Sequence, residues 1–161
     1  MWFGANITYQ GKGDAMFTLP VSNVMEKGKL IATNAAATVF DASELMAENK
    51  VGAVLVLEGD ALIGIFTERD AVFRVIAKGL DASTTLLREV MTPSPRTISP
   101  ETPFGVALLI MHENGFRHVP IVENGKAIGI VSARNALDPA LEEFGCEANR
   151  RKKLYAMACM A

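Results

Sequence analysis

The hydrophobic and polar positions of this chain recur in the same order twice. In the first half, helical spacing predicts a helix from Val39 to Asn49. The run VGAVLVL (51–57) predicts a strand, Gly59-Asp60 a turn and ALIGIF (61–66) a second strand. A helix over 68–78 follows, stopped by Gly79. In the second half Thr102 precedes Pro103, the usual order of N-cap and first helical residue. Ala107, Ile110, Met111 and Asn114 then keep helical spacing up to Gly115, a natural C-terminal stop. FRHVPIV (116–122) predicts a strand, Glu123-Asn124-Gly125 a hairpin turn and KAIGIV (126–131) its partner, after which Ser132 caps another helix. Short lead-in strands near 30–32 and 96–98 complete a β-α-β-β-α unit in each half.

A shift of 65 positions superimposes the two halves without a gap. Ala42 falls on Ala107, Met46 on Met111, Val54 on Val119, Ile63-Gly64-Ile65 on Ile128-Gly129-Ile130, and Arg69 on Arg134. The lead-ins VSNVM and LLREVM end at Met25 and Met91. An internal repeat outranks any single motif as evidence of architecture. The expected division is an N-terminal extension (1–18), a first repeat with its lead-in (19–80), a linker and second repeat (81–138) and a C-terminal helix (139–161). Pro139 falls where the first copy has Arg74, so the second copy's last helix ends early and a separate helix restarts there. Its basic run, Arg150 to Lys153, shares the stretch with Glu142, Glu143 and Glu147 and reads as a solvated face.

Composition narrows the function. The net charge is −2, without the basic excess of a nucleic-acid binder. The apolar runs are too short to span a bilayer, and the N-terminus lacks a secretory pattern. Cys146 and Cys159 lie outside any Cys-x-x-Cys pattern and read as reduced cytosolic thiols, giving a cytoplasmic expectation. His112 and His118 have no third ligand at metal-binding spacing, so no metal is expected. No P-loop and no nucleophile–base pair stands out, which argues against an enzyme.

The phrase that recurs is GIFTERDAVF (64–73) and GIVSARNALD (129–138). Thr67 followed by Asp70 has the form of a helix-start capping box. The same parts suit a ligand site. Helix N-termini facing a shared cleft present free amides to a phosphate, and a carboxylate there can accept bonds from vicinal ribose hydroxyls.

Two copies with VM lead-ins, each ending in G-x-x-[ST]-x-x-[DN], resemble a tandem CBS domain pair, or Bateman module, over roughly residues 19–137. The resemblance implies an α/β (α+β) fold of two pseudo-twofold-related β-α-β-β-α repeats. It implies an adenine nucleotide (AMP, ADP or ATP; NAD or S-adenosylmethionine less favoured) in the cleft between them, a homodimer and a regulatory role in trans on an unknown partner. Carried over residue by residue, the better site would contain Ile65, Thr67, Arg69, Asp70, Ser94, Arg96, Phe116, Arg117 and His118. A second, weaker site would contain Lys29, Ile31, Val51, Gly52, Ala53, Ile130, Ser132 and Asn135, where Asn departs from the acidic pattern. Convergence of Arg69, Arg96, Arg117 and His118 on one rim favours a phosphorylated ligand. The wide apolar set Ala71, Val72, Phe73, Val75 and Ile76 exceeds one buried stripe and supports the dimer. The competing reading is a dimerising scaffold with empty clefts.

Overall fold

A computed structural model of the chain describes residues 17–25 and 30–136. The expected C-terminal helix, its basic run, both cysteines and Lys29 lie outside the described residues. The first repeat contains strand β1 (Ala32–Asn34), a helix (Val39–Asn49), the hairpin β2 (Ala53–Glu58) and β3 (Ala61–Thr67), and a helical segment over 68–78. The second contains a helix (Phe104–Asn114), the hairpin β5 (His118–Glu123) and β6 (Lys126–Ser132), and a 3-10 turn (Ala133–Ala136). Two short lead-in helices (Val21–Val24 and Leu87–Val90) and strand β4 (Thr92–Pro93) make the connections.

The 65-residue period survives in the register. Ala53 pairs with Thr67 and His118 with Ser132, and each hairpin carries one bulge, at Val56/Leu57 and at Ile121/Val122. The apolar run of β2 has a direct cause, because both of its faces are buried. Val54, Val56 and Phe66 pack into the first repeat's core with Val39, Ala42 and Met46. The alternate residues Ala53 and Leu55, with Ile65, face the other way and pack against Ala127 and Ile130 of the second repeat. Val119, Ile121 and Val131 join Phe104, Ala107 and Met111 in the second repeat's own core.

The lead-ins are exchanged. Val21 packs in the second repeat's core, whereas Leu87 and Val90 pack in the first. The motif glycines make room for this. A Cβ on Gly64 would overlap the Met91 sulfur, and one on Gly129 would lie 2.9 Å from the Met25 sulfur. Gly64 and Gly129 thus serve close packing, and each repeat's motif is covered by the other repeat's lead-in.

Four local expectations change. The lead-in strand near 30–32 lies two residues later, at Ala32–Asn34, where it pairs parallel to β2. Residues 96–98 form no strand, and only Ile98 bridges to Ile121. Pro103, not Thr102, caps the helix Phe104–Asn114. The reason is long-range: the Phe104 N–H donates to Leu19 O, so the incoming chain supplies the acceptor that a side-chain cap would have supplied. Finally, the 68–78 segment is not a uniform α-helix. After Glu68–Asp70 it widens to π-type bonding over Ala71–Val75 and tightens to a 3-10 turn over Ile76–Lys78, ending on Gly79 at φ 65°.

Candidate functional site

Both copies of the repeated phrase sit where a strand gives way to a helical turn, and both anchor that turn alike. The Glu68 N–H donates to Gly52 O at 3.1 Å, and the Ala133 N–H to Arg117 O at 2.9 Å. Each turn start is therefore tied to the start of its own repeat's hairpin.

Thr67 and Asp70 form a complete capping box. The Asp70 N–H donates to Thr67 Oγ1 at 3.3 Å, while Asp70 Oδ2 accepts from the Thr67 N–H at 3.0 Å and from its hydroxyl at 2.8 Å. The second carboxylate oxygen, Oδ1, pairs with Arg74 Nε at 3.2 Å. In the other copy Asn135 Oδ1 accepts from the Ser132 N–H at 2.7 Å and from its hydroxyl at 3.0 Å. Because the Ser132 N–H can only donate, the oxygen of the carboxamide must face it. The carboxamide NH2 then stands where Asp70 has its spare oxygen. The Asp/Asn difference keeps both bonds that this side chain accepts and exchanges the remaining acceptor for a donor. Asp70 and Asn135 are both buried, each 8% exposed.

Two clefts open beside these turns. One, of about 260 Å³, is walled by Ile65, Thr67, Arg69 and Asp70 from the first repeat, Arg96 from the linker, and Phe116, Arg117 and His118 from the second. Every residue expected at this site meets there except Ser94. That residue sits at φ 44° and turns its N–H to Ile63 O, while Thr92 and Pro95 take its place in the wall. The other cleft, of about 360 Å³, is walled by Ile31, Val51, Gly52, Ala53, Ile130, Ser132 and Asn135, the described members of the second expected set. It also takes Lys50 and Arg134, which the sequence reading omitted. Arg134 was legible, since it repeats Arg69 at the 65-residue period. Glu68 and Arg74 carried no such signal.

The charges are not equally available. One Arg69 N–H donates to Gly115 O at 2.7 Å, capping the end of the Phe104–Asn114 helix across the repeat boundary. Arg74 divides itself between Asp70 and Val90 O at 2.9 Å. His118 is pushed below its ordinary value of 6.5, chiefly by burial and further by Arg117 and Arg134, with Glu68 opposing. It is therefore neutral at pH 7 and is no cation for the rim. Among the described residues no cluster of three or more His, Cys, Asp or Glu is arranged to hold a metal, and no helix is long and apolar enough to cross a membrane.

The CBS domain family model matches residues 21–77 and 87–141. A CBS domain-containing protein of Arabidopsis thaliana is 36% identical over 140 residues, which cover 83% of this chain and 26% of that relative. The chain spans about a quarter of the length of the Arabidopsis relatives of this type that it matches. The crystal structure of an uncharacterized conserved protein from Pyrococcus horikoshii aligns with a TM-score of 0.71 at 32% identity, over 77% of this chain and 93% of that one. A CBS domain protein from Pyrobaculum aerophilum, complexed with AMP, aligns with a TM-score of 0.66 at 24% identity over 73% of this chain and 89% of that one. With both repeats matched and the repeat register reproduced in three dimensions, this chain belongs to the CBS domain family, as a tandem pair.

Proposed function

We propose that the chain is a regulatory module that binds an adenine nucleotide in the clefts between its two repeats and acts in trans on a partner protein. The observation that supports this most is the composition of the walls. Each cleft joins a helix-start hydroxyl and carboxylate or carboxamide from one repeat to the hairpin start of the other. The larger cleft falls within the roughly 300–1,000 Å³ of small-molecule sites, and the Asp70 cleft just below it. The AMP bound by the Pyrobaculum protein fits this reading, although at that identity the likeness carries the fold alone. Arg96 and Arg117 in one cleft, and Lys50, Arg117 and Arg134 in the other, favour a phosphorylated ligand over a cationic sulfonium. The residues proposed as ligand contacts are Ile65, Thr67, Asp70, Arg96, Phe116, Arg117 and His118, with Ile31, Val51, Gly52, Ala53, Ile130, Ser132 and Asn135 in the second cleft.

The reading includes a homodimer. Phe73 and Ile76 are 61% and 70% exposed, and Phe40, Val72 and Leu109 are exposed as well. Light scattering should return twice the chain mass, and the monomer mass would overturn this part.

One observation favours the scaffold reading instead: Asp70, Arg69 and Arg74 are each engaged by other groups of the chain. Thermal unfolding with AMP, ADP, ATP and S-adenosylmethionine separates the two. A nucleotide at a hundred times its Kd stabilises the native state by about 2.7 kcal/mol, or roughly 5–11 °C in Tm for a chain of this size. No shift with any of the four would leave the scaffold reading standing.

A further inference from the structure

The two clefts share one partition. Gly52, Glu68, Arg117 and His118 line both of them. The other basic groups belong to one cleft each: Arg69, Arg74 and Arg96 to the Asp70 cleft, Lys50 and Arg134 to the Asn135 cleft. The repeat is broken at the partition itself. Where the second repeat has Arg117 the first has Gly52, and where the first has Glu68 the second has Ala133. A Cβ on Gly52 would lie 3.0 Å from Glu68 Oε1, so the Glu68 carboxylate rests over that glycine, on the partition. With His118 neutral, Arg117 is the partition's one cation and Glu68 its one carboxylate. Two copies of Arg at this place would give each cleft its own. This chain has one for both.

A guanidinium is a planar fork of N–H donors, and a paired grip on one phosphate fixes its plane and direction. Resting on the nucleotide reading above, we infer that the two clefts compete for Arg117, so that two phosphorylated ligands bind anticooperatively. The first ligand draws the guanidinium to its side of the partition. The other cleft then loses that cation while keeping the Glu68 carboxylate in its wall, and that charge disfavours a second phosphate. Coupling between sites in proteins typically changes affinity about 5- to 150-fold, so a deficit of at least about five-fold is expected here.

Calorimetric titration of the full chain with AMP tests this through two variants that each leave one cleft open. Thr92→Trp fills the Asp70 cleft and Leu30→Trp fills the Asn135 cleft, each from a wall position away from the partition. Independent clefts require the product of the two wild-type association constants to equal the product of the two single-cleft constants. Anticooperativity requires the wild-type product to be at least about five-fold smaller. A wild type that takes up one equivalent while both single-cleft variants bind is the limiting case of the same result. In an Arg117→Gln background the two products should become equal. If either filled variant fails to fold, Asp70→Ala and Asn135→Ala provide a second pair. Equal products in the wild type, a cleft that never binds AMP, or a deficit that persists in Arg117→Gln would each overturn the inference. Absence of any AMP binding to the wild type would instead overturn the nucleotide reading beneath it.

Discussion

Asp70→Asn separates the two roles that Asp70 combines. The change rewrites the first copy as the second, and Asn135 shows what the new side chain would do: its Oδ1 accepts from both the N–H and the hydroxyl of the residue three positions earlier. The cap should therefore survive. What is lost is the ion pair from Oδ1 to Arg74, an i,i+4 pair whose Arg side chain is 40% exposed. Such pairs are worth about 0.3–0.5 kcal/mol once solvent screening is allowed for, or about 1–2 °C in Tm at roughly 2–4 °C per kcal/mol. Asp70→Ala removes the pair and both bonds accepted from Thr67, at a cost of about 2 kcal/mol and roughly 4–8 °C. Binding should divide differently. Both variants lose the charged acceptor. A bond to a charged group contributes about 1.5–3 kcal/mol and a neutral one about 1, so Asp70→Asn should weaken AMP roughly 2- to 30-fold. Thermal unfolding and calorimetry on the same preparations measure both quantities. Unchanged AMP affinity in Asp70→Asn would refute Asp70 as a ligand acceptor. A stability loss in Asp70→Asn as large as in Asp70→Ala would refute the account of the cap.

Gly64→Ala should destabilise the chain by about 1–3 kcal/mol through overlap with Met91, and more than Gly129→Ala beside Met25; denaturant midpoints check this, and Met91→Ala in the Gly64→Ala background should recover part of the loss. His118 gives a pH dependence of definite sign. Its folded value lies below 6.5, so as pH falls through 6.5 the unfolded chain takes up a proton that the folded chain refuses, and stability declines until the folded value is reached. His118→Gln should flatten the urea midpoint over that window, and an unchanged slope would show that burial of the imidazole is not its cause.

What the sequence made legible followed from local signals and from the repeat. The helix Val39–Asn49, both hairpins and the Gly79 and Gly115 stops lie where periodicity and turn residues put them, because each depends on neighbours in the chain. The walls of the two clefts were legible through the family resemblance, which named the first set of positions, and through the period, which carried them onto the second. The misses share a long-range cause. Thr102 looked like a cap because nothing nearby shows that Leu19 accepts the Phe104 N–H. Arg69 looked like a free cation because its acceptor, Gly115 O, lies 46 positions away. Ser94 was drawn from a motif position, whereas its left-handed backbone belongs to this linker's own path.

The exchange of lead-ins sets the unit of inheritance apart from the unit of folding. The segment that repeats in the sequence runs from a lead-in through its own repeat, yet the segment with a closed core pairs each repeat with the lead-in of its sister. A single ancestral copy would have lacked a cover for its motif glycine unless a second molecule supplied one. On that view the covalent link between the copies replaced an intermolecular swap by an intramolecular one, making an obligate pair concentration-independent. It also freed the two copies to diverge, since once one chain carries both, a change such as Asp to Asn or Gly to Arg need be tolerated on one side only.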